Sequence, residues 1–176
     1  MKTIALSVAV VVVFASVSGA ARDRGDVPAP RIAGPQEVEV VAAYLDPTTQ
    51  APVVILRGKR DKRSFPMVIG PAELNAIALP LNGVTPPRPL THDLFLTLFG
   101  RFKISLRRVV ITDFRDDIYY AALYLQSSAG DVTLDARPSD AIALALRAGV
   151  PVLVEDRVFD KTPAPGLDPG SRRPSI

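Results

Sequence analysis

No cysteine occurs anywhere in this chain of 176 residues, and that absence decides how its fold must be held together. No disulfide framework can form, and no thiol can serve as nucleophile or metal-binding thiolate. Stability has to rest on burial of apolar side chains. The point is sharper because the N-terminus reads as an export signal: Lys2, an apolar stretch from Ile4 to Val17, then Ser18-Gly19-Ala20-Ala21 ahead of Arg22-Asp23-Arg24. Cleavage is expected after Ala20 or Ala21, giving a periplasmic or secreted protein. The competing reading is a membrane anchor. A stretch of ~14 residues rising ~1.5 Å each covers only ~21 Å, short of a hydrocarbon layer ~30 Å thick. Lipid attachment through cysteine is excluded by composition, so no lasting membrane anchor is expected.

Removing residues 1–20 takes away Lys2 and no acid, which leaves 20 Lys+Arg against 18 Asp+Glu, a net charge of +2. That balance is too weak to argue for nucleic acid by itself. Residues 21–35 and 161–176 are rich in Pro, Gly and charge and read as a disordered leader and tail. The expected domain, residues 36–160, is long enough for one core.

Within it, Glu37–Leu45, Pro52–Arg57 and Ser64–Ile69 are β-branched runs bounded by turn residues, and they read as strands. The spacing predicts a helix over Pro71–Leu79, with Pro71 at its first position and Pro80 ending it. A second helix is expected from His92 to about Phe99. Thr91 would be its N-cap, and Leu94, Phe95 and Leu98 its inner face. Strands follow at Lys103–Asp113, Ile118–Gln126 and Gly130–Ala136, the first two joined by an Arg115-Asp116-Asp117 turn. Ser139 is expected to cap a third helix, Asp140–Ala148, ended by Gly149, and Pro151–Glu155 closes the domain as a strand. Three short helices among about seven strands joined by hairpin-length turns point to an α+β fold with a mostly antiparallel or mixed sheet. The segments Ala76–Leu81 and Ala141–Leu146 echo each other, although alanine-rich short helices converge easily.

The densest chemistry lies in Asp135-Ala136-Arg137-Pro138-Ser139-Asp140. Strand alternation sets Asp135 and Arg137 on one face, just before a helix whose free N–H groups favour an anion. Such a group could hold a phosphate or a metal–phosphate pair. The commoner arrangement is structural: Ser139 caps, Asp140 complements the helix dipole, and Asp135 pairs with Arg137. His92, the sole histidine, sits beside Asp93 at a helix start and suits a general base, or is simply a first-turn surface residue. Glu73 falls in a first turn, where an acid is expected in any case. The loop Lys59, Arg60, Lys62, Arg63 could follow a phosphate backbone or be a solvated face. Two-histidine acid–base chemistry within one chain, Cys/His zinc sites, the Walker-type phosphate loop and the Gly-x-Ser-x-Gly elbow are all absent.

Four segments together resemble one family: PMVIGPAELNAIAL (66–79), PPRPLTHDL (86–94), VVITDFRDDIYYAALYL (109–125) and DARPSDAIALALRAGVPVLVEDRVFD (135–160). The chain is similar to the bifunctional nucleases, small domains to which DNase and RNase activity is ascribed, over roughly residues 36–160. It departs from them at Glu73-Leu74, where the family has Glu-Ala, and at Asp116-Asp117, where Asp-Gly is usual. Most members lack a signal peptide, so their intracellular setting does not carry over.

The resemblance implies phosphodiester hydrolysis of DNA or RNA. It makes Glu73, Asp135 and Asp140 candidate metal-binding or water-orienting acids for Mg²⁺ or Mn²⁺. Arg137 and Arg88 become candidate phosphate clamps, His92 with Asp93 an acid–base pair, and Lys59, Arg60, Lys62 and Arg63 contacts to substrate. The alternative is an exported module of the same fold that binds nucleic acid or a protein without turnover. A homo-oligomer is compatible with either reading.

Overall fold

The computed structural model describes residues 34–162, so the expected signal, nearly all of the leader and the tail after Thr162 lie outside the described residues. The chain runs β1 (Gln36–Leu45), β2 (Pro52–Gly58), β3 (Ser64–Val68), α1 (Pro71–Leu81), α2 (Thr91–Arg101), β4 (Ser105–Arg115), β5 (Ile118–Ser127), β6 (Gly130–Ala136), α3 (Pro138–Ala148), β7 (Val152–Val154) and α4 (Asp156–Lys161). Seven strands make one sheet in the order β3-β2-β1-β7-β4-β5-β6. Every neighbouring pair is antiparallel except β4 with β7. The α+β class follows from this mixed sheet and its helices.

The core lies between the sheet and α3. On α3, Ala141, Ile142, Ala143, Leu144 and Ala145 are all buried, because α1 and α2 cover the helix along with a sheet that contributes Val54, Leu56, Val109, Ile111 and Val154. Alanine at three of those five positions lets the helix lie close to its neighbours. α1 packs on α3, β1 and β2, while α2 packs on α3 and β4. The echoing segments of α1 and α3 are therefore two helices in mutual contact. The β4–β5 hairpin turns on Asp116 and Asp117, at φ 52° and 59°, a left-handed pair that aspartate tolerates better than most residues.

Several boundaries differ from expectation. α1 continues through Pro80 to Leu81. Proline cannot donate to the Ala76 carbonyl one turn back, but Arg147 Nη1 donates to that oxygen instead, at 2.5 Å, so the helix need not stop. At α2 the N-cap is Leu90, whose backbone N–H donates to Asp93 Oδ2 at 2.7 Å. The inner face of α2 is also different: Leu94, Phe95 and Leu98 are exposed, while Leu96 and Phe99 pack on the core. His92, Leu96 and Phe99 fall at i, i+4 and i+7, so anchoring His92 against α3 turns that stripe inward.

β4 begins at Ser105, because Lys103 takes φ 56° in the turn that closes α2. α3 begins one residue before Ser139. Pro138 supplies a pre-set φ at the first position, Arg137 becomes the N-cap without a side-chain cap, and Ser139 is buried. Gly149 ends α3 in the left-handed region at φ 65°, as expected. α4, unanticipated, occupies the end of the expected domain and the first residue of the expected tail.

Candidate active site

Glu73 lies in the first turn of α1, His92 in the first turn of α2, and Asp140 in the first turn of α3. The structure links them through one side chain, Arg137. Its Nη2 donates to Glu73 Oε1 at 2.6 Å and its Nε to Asp140 Oδ2 at 2.7 Å. Asp140 Oδ1 lies 3.1 Å from His92 Nε2. One hydrogen-bonded chain, Glu73–Arg137–Asp140–His92, thus ties three helix N-termini together. Each terminus carries partial positive charge from its free N–H groups. The acids that balance it are half-buried, whereas the Arg137 side chain is 67% exposed and keeps an N–H edge open to solvent.

Burial works against ionising Asp140. The hydrogen bonds from Arg137 and His92 outweigh it and hold the carboxyl below the ordinary aspartate value. Asp140 raises the affinity of Arg137 for its proton in turn, with Glu73 adding to the effect. The cluster therefore holds an ionised acid against His92 and a permanent cation facing outward. A group of this kind can orient an imidazole and grip an anionic oxygen.

The remaining candidates fall elsewhere. Asp135 is on β6, exposed, opposite Ala122 of β5, and its carboxylate makes no hydrogen bond or ion pair at bonding distance among the described residues. The expected Asp135–Arg137 pair gives way to Arg137 with Asp140 and Glu73, because Arg137 has left the strand to cap α3. Asp93 does not pair with His92. It accepts from Leu90 through Oδ2 and from Arg147 Nε through Oδ1, at 2.9 Å. Arg88 is exposed on the connection between α1 and α2.

In the basic loop, Lys59 pairs with Glu37, Arg60 with Asp156, and Arg63 with Asp61, Asp156 and Asp160. Lys62 makes no ion pair at bonding distance among the described residues, although its charge is felt by Glu39. Sequence reasoning missed Arg147, whose guanidinium joins α1, α2 and α3. Only the proline inside α1, which leaves a carbonyl wanting a donor, could have signalled it.

The expected Mg²⁺ or Mn²⁺ ligands do not assemble. Arg137 stands between the Glu73 and Asp140 carboxylates, both Asp140 oxygens are engaged, and Asp135 is not joined to them. Among the described residues no three His, Asp or Glu side chains form a group able to hold a metal. The donor set as placed does not fit a resident divalent cation.

The family model of the bifunctional nuclease domain matches residues 54–165. Two Mycobacterium tuberculosis proteins, from strains CDC 1551 / Oshkosh and H37Rv and each described as uncharacterized, are 43% identical over 123 residues, covering 70% of this chain and 73% of theirs. A rice protein (Oryza sativa subsp. indica) named bifunctional nuclease 1 is 35% identical over 81 residues, covering 44% of this chain and 24% of its own length.

Proposed function

Since the chain belongs to the bifunctional nuclease domain family, we propose that the Glu73–Arg137–Asp140–His92 cluster binds a nucleic-acid phosphate and hydrolyses a phosphodiester bond. The observation that carries this reading is the meeting of three helix first turns on one exposed guanidinium. Helix N-termini and a guanidinium both favour an anion. The outward N–H edge of Arg137 donates to a non-bridging phosphoryl oxygen and stabilises the charge that grows there as water attacks. His92, oriented by Asp140 through Nε2, takes the proton of the attacking water at its other ring nitrogen. The water oxygen bonds to phosphorus as the ester oxygen departs, and the proton held by His92 is then free to pass to that oxygen. Glu73 positions Arg137. Arg88, exposed just ahead of α2, and Lys62, exposed at the far end of β3 from α1, are further candidate contacts to the phosphate backbone. No step is routed through a divalent cation, because the described acids do not build its site.

Export is part of the proposal and rests on residues 1–21 alone. Exported material should begin at Ala21 or Arg22 when its N-terminus is sequenced, and an intact Met1 would refute it. For the chemistry, linear DNA and RNA are incubated with the protein, with and without EDTA. Cleavage should fall by ~10²-fold or more in Arg137→Gln, the scale of losing one charge-stabilising donor. The thermal melt should fall only modestly, because the guanidinium is exposed even though the Glu73 and Asp140 carboxylates it serves are half-buried. Undiminished cleavage by Arg137→Gln would remove the cluster from the chemistry. Binding without cleavage by the wild type, with Mg²⁺ or Mn²⁺ added as well as without, would favour the non-catalytic module. The EDTA arm measures separately whether a cation is required.

A further inference from the structure

Helix α2 packs on α3 and β4 through Leu96 and Phe99 and leaves a second apolar face bare. Leu94, Phe95, Leu98 and Phe102 are 54%, 49%, 52% and 70% exposed. At ~100° per residue these four fall in a stripe ~100° wide, bordering the inward stripe of His92, Leu96 and Phe99. Phe95 and Phe102, the latter capping the helix C-terminus, lie almost in line and ~10.5 Å apart along the axis. The Phe95 ring makes a T-shaped contact with Phe99, centroids 6.3 Å apart, which holds the ring although half of it is bare. Charge beside this face is one-sided. From Leu94 to Thr112 the sequence has Arg101, Lys103, Arg107 and Arg108 and no acid. Arg101, Lys103 and Arg107 are exposed and make no ion pair at bonding distance among the described residues.

We propose that Phe95 and Phe102 form a base-stacking track for the nucleic acid entering the Arg137 cluster, with Arg101 and Lys103 holding its phosphates; this rests on the reading that the cluster takes a nucleic-acid phosphate. His92 of that cluster stands in the first turn of α2, and Phe95 follows it only ~4.5 Å further along the axis. A base next to the phosphate at Arg137 therefore meets Phe95. A strand continuing along the helix meets Phe102 beside the two unpaired cations at the other end. Aromatic faces take any base by stacking, and cations beside them follow the backbone. Leu94 and Leu98 flank the track and shield stacked bases from water. A lipid surface also takes an apolar helix face with basic neighbours. It has no need of two aromatic rings in line with each other, starting at the turn that carries His92, and those two features favour nucleic acid.

The test measures binding, so that it does not depend on turnover. Fluorescence anisotropy follows a labelled phosphorothioate oligothymidylate of ~12 nucleotides, whose linkages resist hydrolysis, and the same backbone carrying abasic sites. Phe95→Leu and Phe102→Leu keep the apolar bulk and remove only the aromatic face. Each should weaken binding of the thymidylate by ~5-fold or more and leave the abasic strand unchanged. Arg101→Gln with Lys103→Gln should flatten the salt dependence for both strands by ~1.4 in log K against log salt. Equal binding of the two strands by the wild type overturns the proposal, as does thymidylate binding that neither leucine variant weakens. Loss of mass in light scattering for Phe102→Glu would give the face to a second copy. Sedimentation of the wild type with phosphatidylglycerol vesicles, lost in Phe102→Glu, would give it to a lipid surface. Either result also overturns the track. The two readings fail separately: if Arg137→Gln stops cleavage while the leucine variants bind normally, only the track is wrong. If the leucine variants lose the thymidylate while Arg137→Gln cleaves normally, the track stands and the cluster's chemistry is wrong.

Discussion

Arg147 makes a quantitative prediction possible, because its bonds can be separated by a second substitution. Its side chain is only 8% exposed. Nη1 serves the carbonyls of Ala76 and Ala143, and Nε serves Asp93 Oδ1. Arg147→Met keeps most of the buried stem and removes those donors. The Ala143 carbonyl already belongs to its helix. The Ala76 carbonyl is different: its ordinary donor would be residue 80, and residue 80 is proline. Leaving such an acceptor buried and unsatisfied costs about 1–3 kcal/mol. Asp93 is partly exposed and can turn to water, so its lost pair adds about 0–1 kcal/mol. The expected loss is about 1–4 kcal/mol.

Pro80→Ala restores a backbone N–H one turn after Ala76. In that background the orphaned carbonyl regains its helical donor, and Arg147→Met should cost about 1–2 kcal/mol less than in wild type. Urea unfolding of wild type, both single variants and the double variant, followed by far-UV circular dichroism, gives the coupling directly. A coupling below about 0.5 kcal/mol, the range of independent sites, would mean that Arg147 does not replace the proline's missing donor. The account of why α1 passes through Pro80 would then be wrong.

Two further outcomes are expected. Burial pushes Tyr119 up to about 12, above its ordinary value, so its contribution is complete below pH ~10 and is lost as pH rises through ~12. Tyr119→Phe keeps the stacking on Phe65 and Phe114, and above pH 10 its stability should fall less steeply than that of wild type; parallel curves in alkaline melts would contradict this. Lys62→Gln in the basic loop and Arg88→Gln on the α1–α2 connection should each flatten the salt dependence of nucleic-acid binding by about 0.9 in log K against log salt, whereas Arg63→Gln, which removes three ion pairs and a cation–π contact with Phe159, should chiefly lower the melting temperature. Unchanged slopes for Lys62→Gln and Arg88→Gln would show that neither meets a phosphate.

The sheet was legible because its signals are local. Strands β2 and β6 lie close to where β-branched runs and turn residues predict them, and the Asp116-Asp117 turn follows from what aspartate tolerates. The helices were legible in number and approximate place and less so in detail, because tertiary contacts override local rules there. Pro80 stops a helix only if the carbonyl behind it stays unserved, and Arg147, 67 residues later in the chain, serves it. The apolar Leu94, Phe95 and Leu98 face inward only if nothing else fixes the helix's rotation. The His92–Asp140 contact and the Asp93–Arg147 pair both fix it.

The candidate site shows the same limit in its chemistry. Glu73, His92, Arg137 and Asp140 are all residue types suited to phosphate chemistry, yet proximity in sequence suggests the wrong partners for them. Asp135 with Arg137 and His92 with Asp93 are each one or two residues apart, and strand alternation or helix position makes such pairs look natural. What decides the matter is where the elements end. Pro138 starts α3 early, so Arg137 becomes a cap and its side chain swings from the strand face to the helix ends. There it meets Glu73, 64 residues away in sequence, and Asp140 on the next turn. A guanidinium between two carboxylates consumes the acids that metal chemistry would have needed and leaves one cation directed at solvent. The same early start of α3 therefore argues for phosphate binding by Arg137 and against a carboxylate metal cage built from Glu73, Asp135 and Asp140.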